Sequence, residues 1–225
     1  MADKEHANEQ RPPLVNRLRD NPAYPVVYMF CVTFVFTGII VGVSAATRER
    51  VAQNREIMRE RAILMATLPG EVDDRTPSPV VHQTFLDRVV PPEEGETLYK
   101  VMENDTLHAY ALPLDGQGFW DEIRGMLGLA PDKQTVISIA FHVQTETPGL
   151  GAEITRPHFR ERFEGKKLAP EGKPLRIVSP AEETTEHSVH AITGATQTSI
   201  RVERIIDASV RAWRDQEPQD EEGQQ

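Results

Sequence analysis

The sequence predicts an α+β domain behind a single membrane-spanning helix. Three observations predict it. Residues 25–46, PVVYMFCVTFVFTGIIVGVSAA, carry no charge. The strand-like and helix-like stretches that follow do not alternate strictly, which favours α+β over a doubly wound sheet. Near the C-terminus Val202, Ile205, Ile206, Ser209 and Trp213 follow the i, i+3, i+4, i+7 spacing of a helix lying on a core.

Residues 1–21 are polar, with Pro12 and Pro13 in the middle, and read as a disordered tail. The uncharged run then supplies the roughly 20 apolar residues that cross a bilayer core, so residues 22–47 are assigned to a transmembrane helix. Arg17 and Arg19 precede it and Arg48 and Arg50 follow. Tyr24 and Tyr28 stand where an interfacial aromatic belt belongs. The polar lead-in is longer and more mixed in charge than the n-region of a signal peptide, which favours a retained anchor over a cleaved leader. Lys and Arg balance across the span, so charge leaves its orientation open. Gly38 and Gly42 form a GxxxG pair, a spacing that permits close helix packing and also arises incidentally. Residues 48–70 continue as a juxtamembrane helix, with Ile57, Leu64 and Leu68 at helical spacing and Pro69-Gly70 as the stop. DDRTPSP, residues 73–79, reads as a loop.

The soluble domain is assigned to residues 71–214. TLYKVME and LHAYALPL read as two strands joined by a turn at NDT. GFWDEIRGMLGL, residues 118–129, reads as a short helix weakened by its glycines. TVISIAFHVQ, residues 135–144, is the clearest strand, β-branched and nearly alternating, and PLRIVS is a further candidate. Residues 215–225 form an acidic solvated tail.

The formal net charge of −10 argues against a nucleic-acid surface, which needs clustered Lys and Arg. Cys31 is the single cysteine, so disulfides, CxxC pairs and thiolate clusters are excluded. His142, His158, His187 and His190 lack the spacing of a metal set, and no metal site and no catalytic acid, base or nucleophile is assigned.

Two motifs remain. In VHAITGATQTS, residues 189–199, Thr198 and Ser199 stand where the N-cap of the last helix belongs. A capped helix entered by a tight turn accounts for them. The same geometry also suits an anion, because a helix start presents unpaired amides and partial positive charge. Gly194 and Ala195 let a bulky group approach the backbone, and Thr196 sets a hydroxyl beside it. In ETPGLGAEI, residues 146–154, Pro148 fixes φ while Gly149 and Gly151 free the backbone. The spacing is not GxGxxG, which argues against a dinucleotide fold.

Together, TETPGLGAEI and HAITGATQTS resemble the FMN-binding domain of the C subunit of the sodium-translocating NADH:quinone reductases. The related G subunit of Rnf electron-transport complexes shares both motifs. GQGFWDEIRGMLGLAPDKQTVISIAFHVQTETPGLGAEI and RFEGKKLAPEGKPLRIVSP look closer to the quinone-reductase subunit. The resemblance implies an α+β FMN-binding domain with one N-terminal transmembrane helix. It implies FMN esterified through its phosphate to Thr196, the last residue of Thr193-Gly194-Ala195-Thr196, by a flavin transferase that uses FAD. The amides of Thr198, Ser199 and Ile200 are expected to meet the phosphate. Glu146, Thr147, Leu150 and Gly151 are candidates for the ring through the motif alone. It further implies a single-pass protein of the bacterial inner membrane, with the flavin domain outside the cytoplasm. Such a domain relays electrons among other subunits of a redox complex and is not catalytic alone. An Rnf-type subunit and a membrane-anchored flavin sensor are the alternatives. His190 stands where the family motif carries Asp, which puts recognition by the transferase in question.

Overall fold

A computed structural model describes residues 22–216. The chain divides into two compact units, one reaching Gln53 and the other beginning at Asn54. The expected N-terminal tail lies outside the described residues, as do residues 217–225 of the expected acidic tail.

A single helix, α1 (Tyr24–Thr67), covers both the expected span and the expected juxtamembrane segment. Within it lies the one stretch among the described residues that is long and apolar enough to cross a membrane, with a mean hydropathy of 2.4 and none of it buried. No neighbouring atom lies within 4 Å of a methyl placed on Gly38 or Gly42, so that small-residue face is open. The helix stops before Pro69, and Gly70 turns the chain at φ +91°, a conformation that suits glycine.

The second unit is built on a five-stranded antiparallel sheet in the order β1 (Val89–Val90), β2 (Tyr99–Glu103), β3 (Thr106–Gln117), β4 (Glu122–Leu129), β5 (Val136–Val143). The turn between β2 and β3 holds Asn104 and Asp105 at φ 48° and 60°. Two consecutive left-handed residues are the signature of a type I′ hairpin, whose twist matches that of its strands. The segment expected to be a short helix is instead mostly β4. Its pattern has period two: Ile123, Leu127 and Leu129 face one core and Met126 the other. The glycines that weaken a helix are needed here, because a Cβ on Gly128 would overlap the Ala66 carbonyl of α1.

Both faces of the sheet are covered. On one face Ala109, Ala111, Met126 and Ala140 meet the last turns of α1, including Ile63 and Leu64. They also meet Val81 and Phe85 of a helix that the sequence does not announce, α2 (Ser78–Arg88). That helix buries only those two side chains, so its amphipathic signal is short, and its first residues coincide with the end of the expected loop. On the other face Leu112, Leu114, Leu127 and Ile139 meet the irregular segment from Gly151 to Phe163. This segment comprises a 3₁₀ turn (Gly151–Thr155), the short helix α3 (Pro157–Arg160) and a second 3₁₀ turn (Glu161–Phe163). A parallel pair, β6 (Arg176–Val178) and β7 (Ser188–His190), lies beyond.

The same face receives the last helix, α4 (Thr196–Gln216), through Val202, Ile205, Ile206, Val210 and Trp213. Each such side chain contributes roughly 1.5–3 kcal/mol on burial. Gly116 of β3 makes room for the helix, since a Cβ there would stand 2.7 Å from Ile205. The helix includes Asp215 and Gln216, which composition assigns to the tail, because Gln216 finds a tertiary partner in a hydrogen bond with Thr97.

His142 on β5 is largely buried, and its Nδ1 has no partner. Burial first, then the charges of Arg124 and Arg59, hold its pKa down to about 4. The unfolded chain therefore binds a proton more readily between about pH 6.5 and 4. The stability that a neutral ring contributes is full above that window and is lost as pH falls through it. His142→Gln is expected to flatten this acid limb in a plot of melting temperature against pH. Gly128→Ala is expected to destabilise the second unit by about 3 kcal/mol, read as a fall in its melting temperature in detergent.

Candidate functional site

The two sequence motifs meet at the start of α4. Thr198 Oγ1 donates a 2.7 Å hydrogen bond to Glu146 Oε2, and both residues are buried. The other carboxylate oxygen accepts the amides of Phe119 at 2.7 Å and Trp120 at 3.3 Å. One side chain thus ties together the loop after β3, the loop after β5 and the first turn of α4. Glycines clear the space around it. A Cβ on Gly151 would stand 2.5 Å from Thr198 Oγ1 and 2.7 Å from Glu146 Oε2, and one on Gly118 2.6 Å from Glu146 Oε1.

Local hydrogen bonds shape each motif. After β5 the amides of Leu150 and Ala152 both reach the Thr147 carbonyl at 3.1 Å, and Gly149 takes φ +74° within this turn. Trp120 Nε1 donates to Thr147 Oγ1 at 3.1 Å. Before α4 the chain turns through Gly194 at φ +80°, closed by the Ala195 amide on the Ile192 carbonyl at 3.1 Å. Arg162 Nη1 clamps the approach to that turn, donating to the carbonyls of His190 at 2.8 Å and Ala191 at 3.0 Å. The Leu150 side chain lies 3.3 Å from where a Gly194 Cβ would be, so the two turns touch.

A pocket of about 260 Å³ opens between them, lined by Phe119, Glu146, Thr147, Leu150, Gly151, Gly194, Ala195, Thr196, Gln197 and Thr198. Thr196 and Gln197 are exposed at its edge. The amides of Thr196, Gln197 and Thr198 have no described acceptor, as expected of a first helical turn. Phe119, Trp120 and Leu150 are 46%, 64% and 44% exposed, an unusual apolar cluster for a rim, and the two aromatic rings meet edge-on with centroids 5.0 Å apart.

Most residues expected at a site from the motifs line this pocket. Thr193 and Ser199 do not. Thr193 points to solvent, while Ser199 is buried and its Oγ accepts the Ile192 amide at 3.1 Å. Neither Thr198 nor Ser199 is an N-cap, because α4 begins at Thr196. Their hydroxyls serve tertiary contacts instead, and the Ser199 amide is spent on the Ala195 carbonyl at 3.0 Å. His190 lies off the pocket, with Nε2 donating to the Glu182 carbonyl at 2.9 Å. Phe119 and Gln197 are pocket residues that the motif reading does not single out, and Trp120 packs against Phe119 beside the pocket. Two adjacent aromatics behind a glycine in GFW are the available signal, and a helical reading of that stretch hides it.

Comparison with known proteins shows what this region is similar to. Residues 118–211 match a family model described as an FMN-binding domain. That stretch is thus similar to an FMN-binding domain. The C subunit of the Na(+)-translocating NADH-quinone reductase of Vibrio alginolyticus is 35% identical over 113 residues, 49% of this chain and 44% of that protein. Its counterpart in Neisseria meningitidis serogroup A is 38% identical over 99 residues, 43% of this chain and 38% of that protein. The chain spans less than half the length of the curated relatives it matches. Two crystal structures share the fold at 23% identity. The C subunit of the same reductase from Parabacteroides distasonis gives a TM-score of 0.63 over 76% of this chain and 98% of that one. NqrC from Shewanella oneidensis gives 0.57 over 69% and 91%. The resemblance read from the two motifs is borne out by these relatives, as is the α+β class of the FMN-binding domain.

The residues present fit FMN. The unpaired amides at the start of α4 suit its phosphate. The Phe119–Trp120–Leu150 rim suits an aromatic ring system, and Gly151 and Gly194 keep the floor clear. Gly151→Ala is expected to break the Thr198–Glu146 hydrogen bond and to cost about 2 kcal/mol. Thermal unfolding, with faster amide exchange at Phe119 and Trp120, checks this.

Proposed function

We propose that this protein is the electron-transfer subunit of a membrane-bound, ion-translocating NADH:quinone reductase-like complex, carrying FMN covalently on Thr196. The observation that carries the reading is the convergence of both motifs on one pocket, with the Thr196 hydroxyl exposed at its edge and the first-turn amides of α4 unpaired beside it.

Each part of the chain has a physical role in this reading. Thr196 accepts the FMN phosphoryl group from FAD under a flavin transferase: a bond from its Oγ to phosphorus forms, the phosphoanhydride bond breaks, AMP leaves, and the hydroxyl proton passes to solvent. Exposure of Thr196 gives the transferase access. The amides of Thr196, Gln197 and Thr198 hold the remaining phosphodiester charge at the positive end of α4. Phe119, Trp120 and Leu150 shield the ring from water on one side of the pocket. The flavin, when bound, supplies the redox chemistry, while the protein supplies position and electrostatics.

The apolar part of α1 anchors the domain in the bacterial inner membrane in a single pass, with the flavin domain on the extracytoplasmic side and further subunits of the complex as partners. Outside the cytoplasm a dissociable cofactor is lost by dilution, and an ester tether removes that loss. The position of His190 supports modification at Thr196 despite the missing motif Asp. Its ring is engaged with the Glu182 carbonyl away from the pocket, so it leaves the Thr196 hydroxyl unobstructed.

The test is the full chain coexpressed in membranes with a matched flavin transferase. Intact mass is expected to show one FMN increment, with flavin fluorescence on a denaturing gel. Thr196→Ala is expected to lose both while its stability stays within about 0.5 kcal/mol of the parent, the usual range for an exposed position. A parent protein with neither signal would overturn covalent attachment.

A further inference from the structure

Glu146 is the only residue lining the pocket that carries a formal charge. It is 5% exposed, and the described partners of its carboxylate are two backbone amides and one hydroxyl, all neutral donors. A buried carboxylate without a cationic partner is costly, and packing of the motif does not require one. An amide side chain of the same size would fill the same space. Both its oxygens already accept hydrogen bonds from the protein. What it does deliver into a pocket of about 260 Å³ is a negative charge whose described partners are all neutral. In a space that small, a bound group lies within several ångströms of the carboxylate, where solvent screening is weak.

From this arrangement we infer that Glu146 sets the reduction potential of the flavin, holding it low by opposing the negative charge that enters the pocket with each added electron. The inference rests on the FMN reading above and goes beyond it, since it assigns a tuning role to a residue whose side chain faces the protein. The Thr198 hydroxyl moderates the effect. Its hydrogen bond to Oε2 draws charge off the carboxylate at the end nearest α4. The Glu146 side chain also aligns the loop of Phe119 and Trp120 with the helix start, so a purely mechanical role is the rival explanation, and the two differ in sign.

Spectroelectrochemical titration of the full flavinylated protein separates them, with the electrode as the source of electrons. Glu146→Gln keeps the volume and an acceptor for the two amides while removing the charge. It is expected to shift the midpoint potential to a more positive value, with the FMN increment retained in the intact mass. Thr198→Val keeps the charge but removes the hydroxyl that disperses it, and is expected to shift the midpoint the other way. If Glu146 only holds the loops together, both variants loosen the same joint and move the potential in one direction, which overturns the inference. An unchanged or more negative midpoint in Glu146→Gln overturns it too. Should that variant not fold, Thr198→Val decides alone: a more negative midpoint supports the inference, and no shift or a positive one overturns it. A parent protein that carries no flavin fails the functional reading first, and is seen in the mass before any potential is read.

Discussion

The hydrogen bond from Thr198 to Glu146 joins residues 52 positions apart, and the rest of the site is arranged around it. Glu146 follows the end of β5 and Thr198 lies in the first turn of α4, so the bond docks the start of the last helix against the end of an edge strand of the sheet. The other carboxylate oxygen gathers the loop that leaves β3. Three segments distant in sequence are thereby closed onto one buried group. The contact is tight enough that the neighbouring positions have little choice of residue. Gly118 and Gly151 are required because any side chain there would enter the space of the carboxylate or of the Thr198 hydroxyl.

This joint works because the scaffold holds its partners in register. The sheet is covered on both faces, by the last turns of α1 with α2 on one side and by α4 with the irregular segment on the other. Close backbone approach at Gly128 seats the end of α1, and the fit of Ile205 against Gly116 seats α4. With the body of α4 so fixed, its first turn has a defined position. Thr196 is then presented at the pocket edge by a rigid element instead of a loose loop. Arg162 and Ser199 brace the turn that leads into it.

The electrostatics of the site follow from the same arrangement. The start of α4 offers unpaired amides and partial positive charge, while Glu146 places a negative charge in the pocket wall. An anionic group and an electron acceptor thus meet opposite influences within one small pocket. The surrounding rim of Phe119, Trp120 and Leu150 is apolar.

Much of this was legible in the amino-acid order. The apolar run, the final amphipathic helix and the strand after residue 135 are set by local periodicity, and periodicity is written in the chain. Small and hydroxyl residues at a helix start drew attention to Gly194 and Thr196, while Glu146 and Gly151 were marked only by the resemblance of the paired motifs to a known family. Folding decided the rest. The stretch from Gly118 to Leu129 is mostly strand because its glycines answer to Ala66 and Phe141 across space, which no local pattern reveals. Thr198 and Ser199 read as caps when only neighbours in sequence are considered. Their true partners, Glu146 and Ile192, come from folding the chain back on itself. Phe119 and Trp120 became part of the rim for the same reason: a residue's chemistry is legible in sequence, but which residues share one enclosed space is set by packing between distant segments.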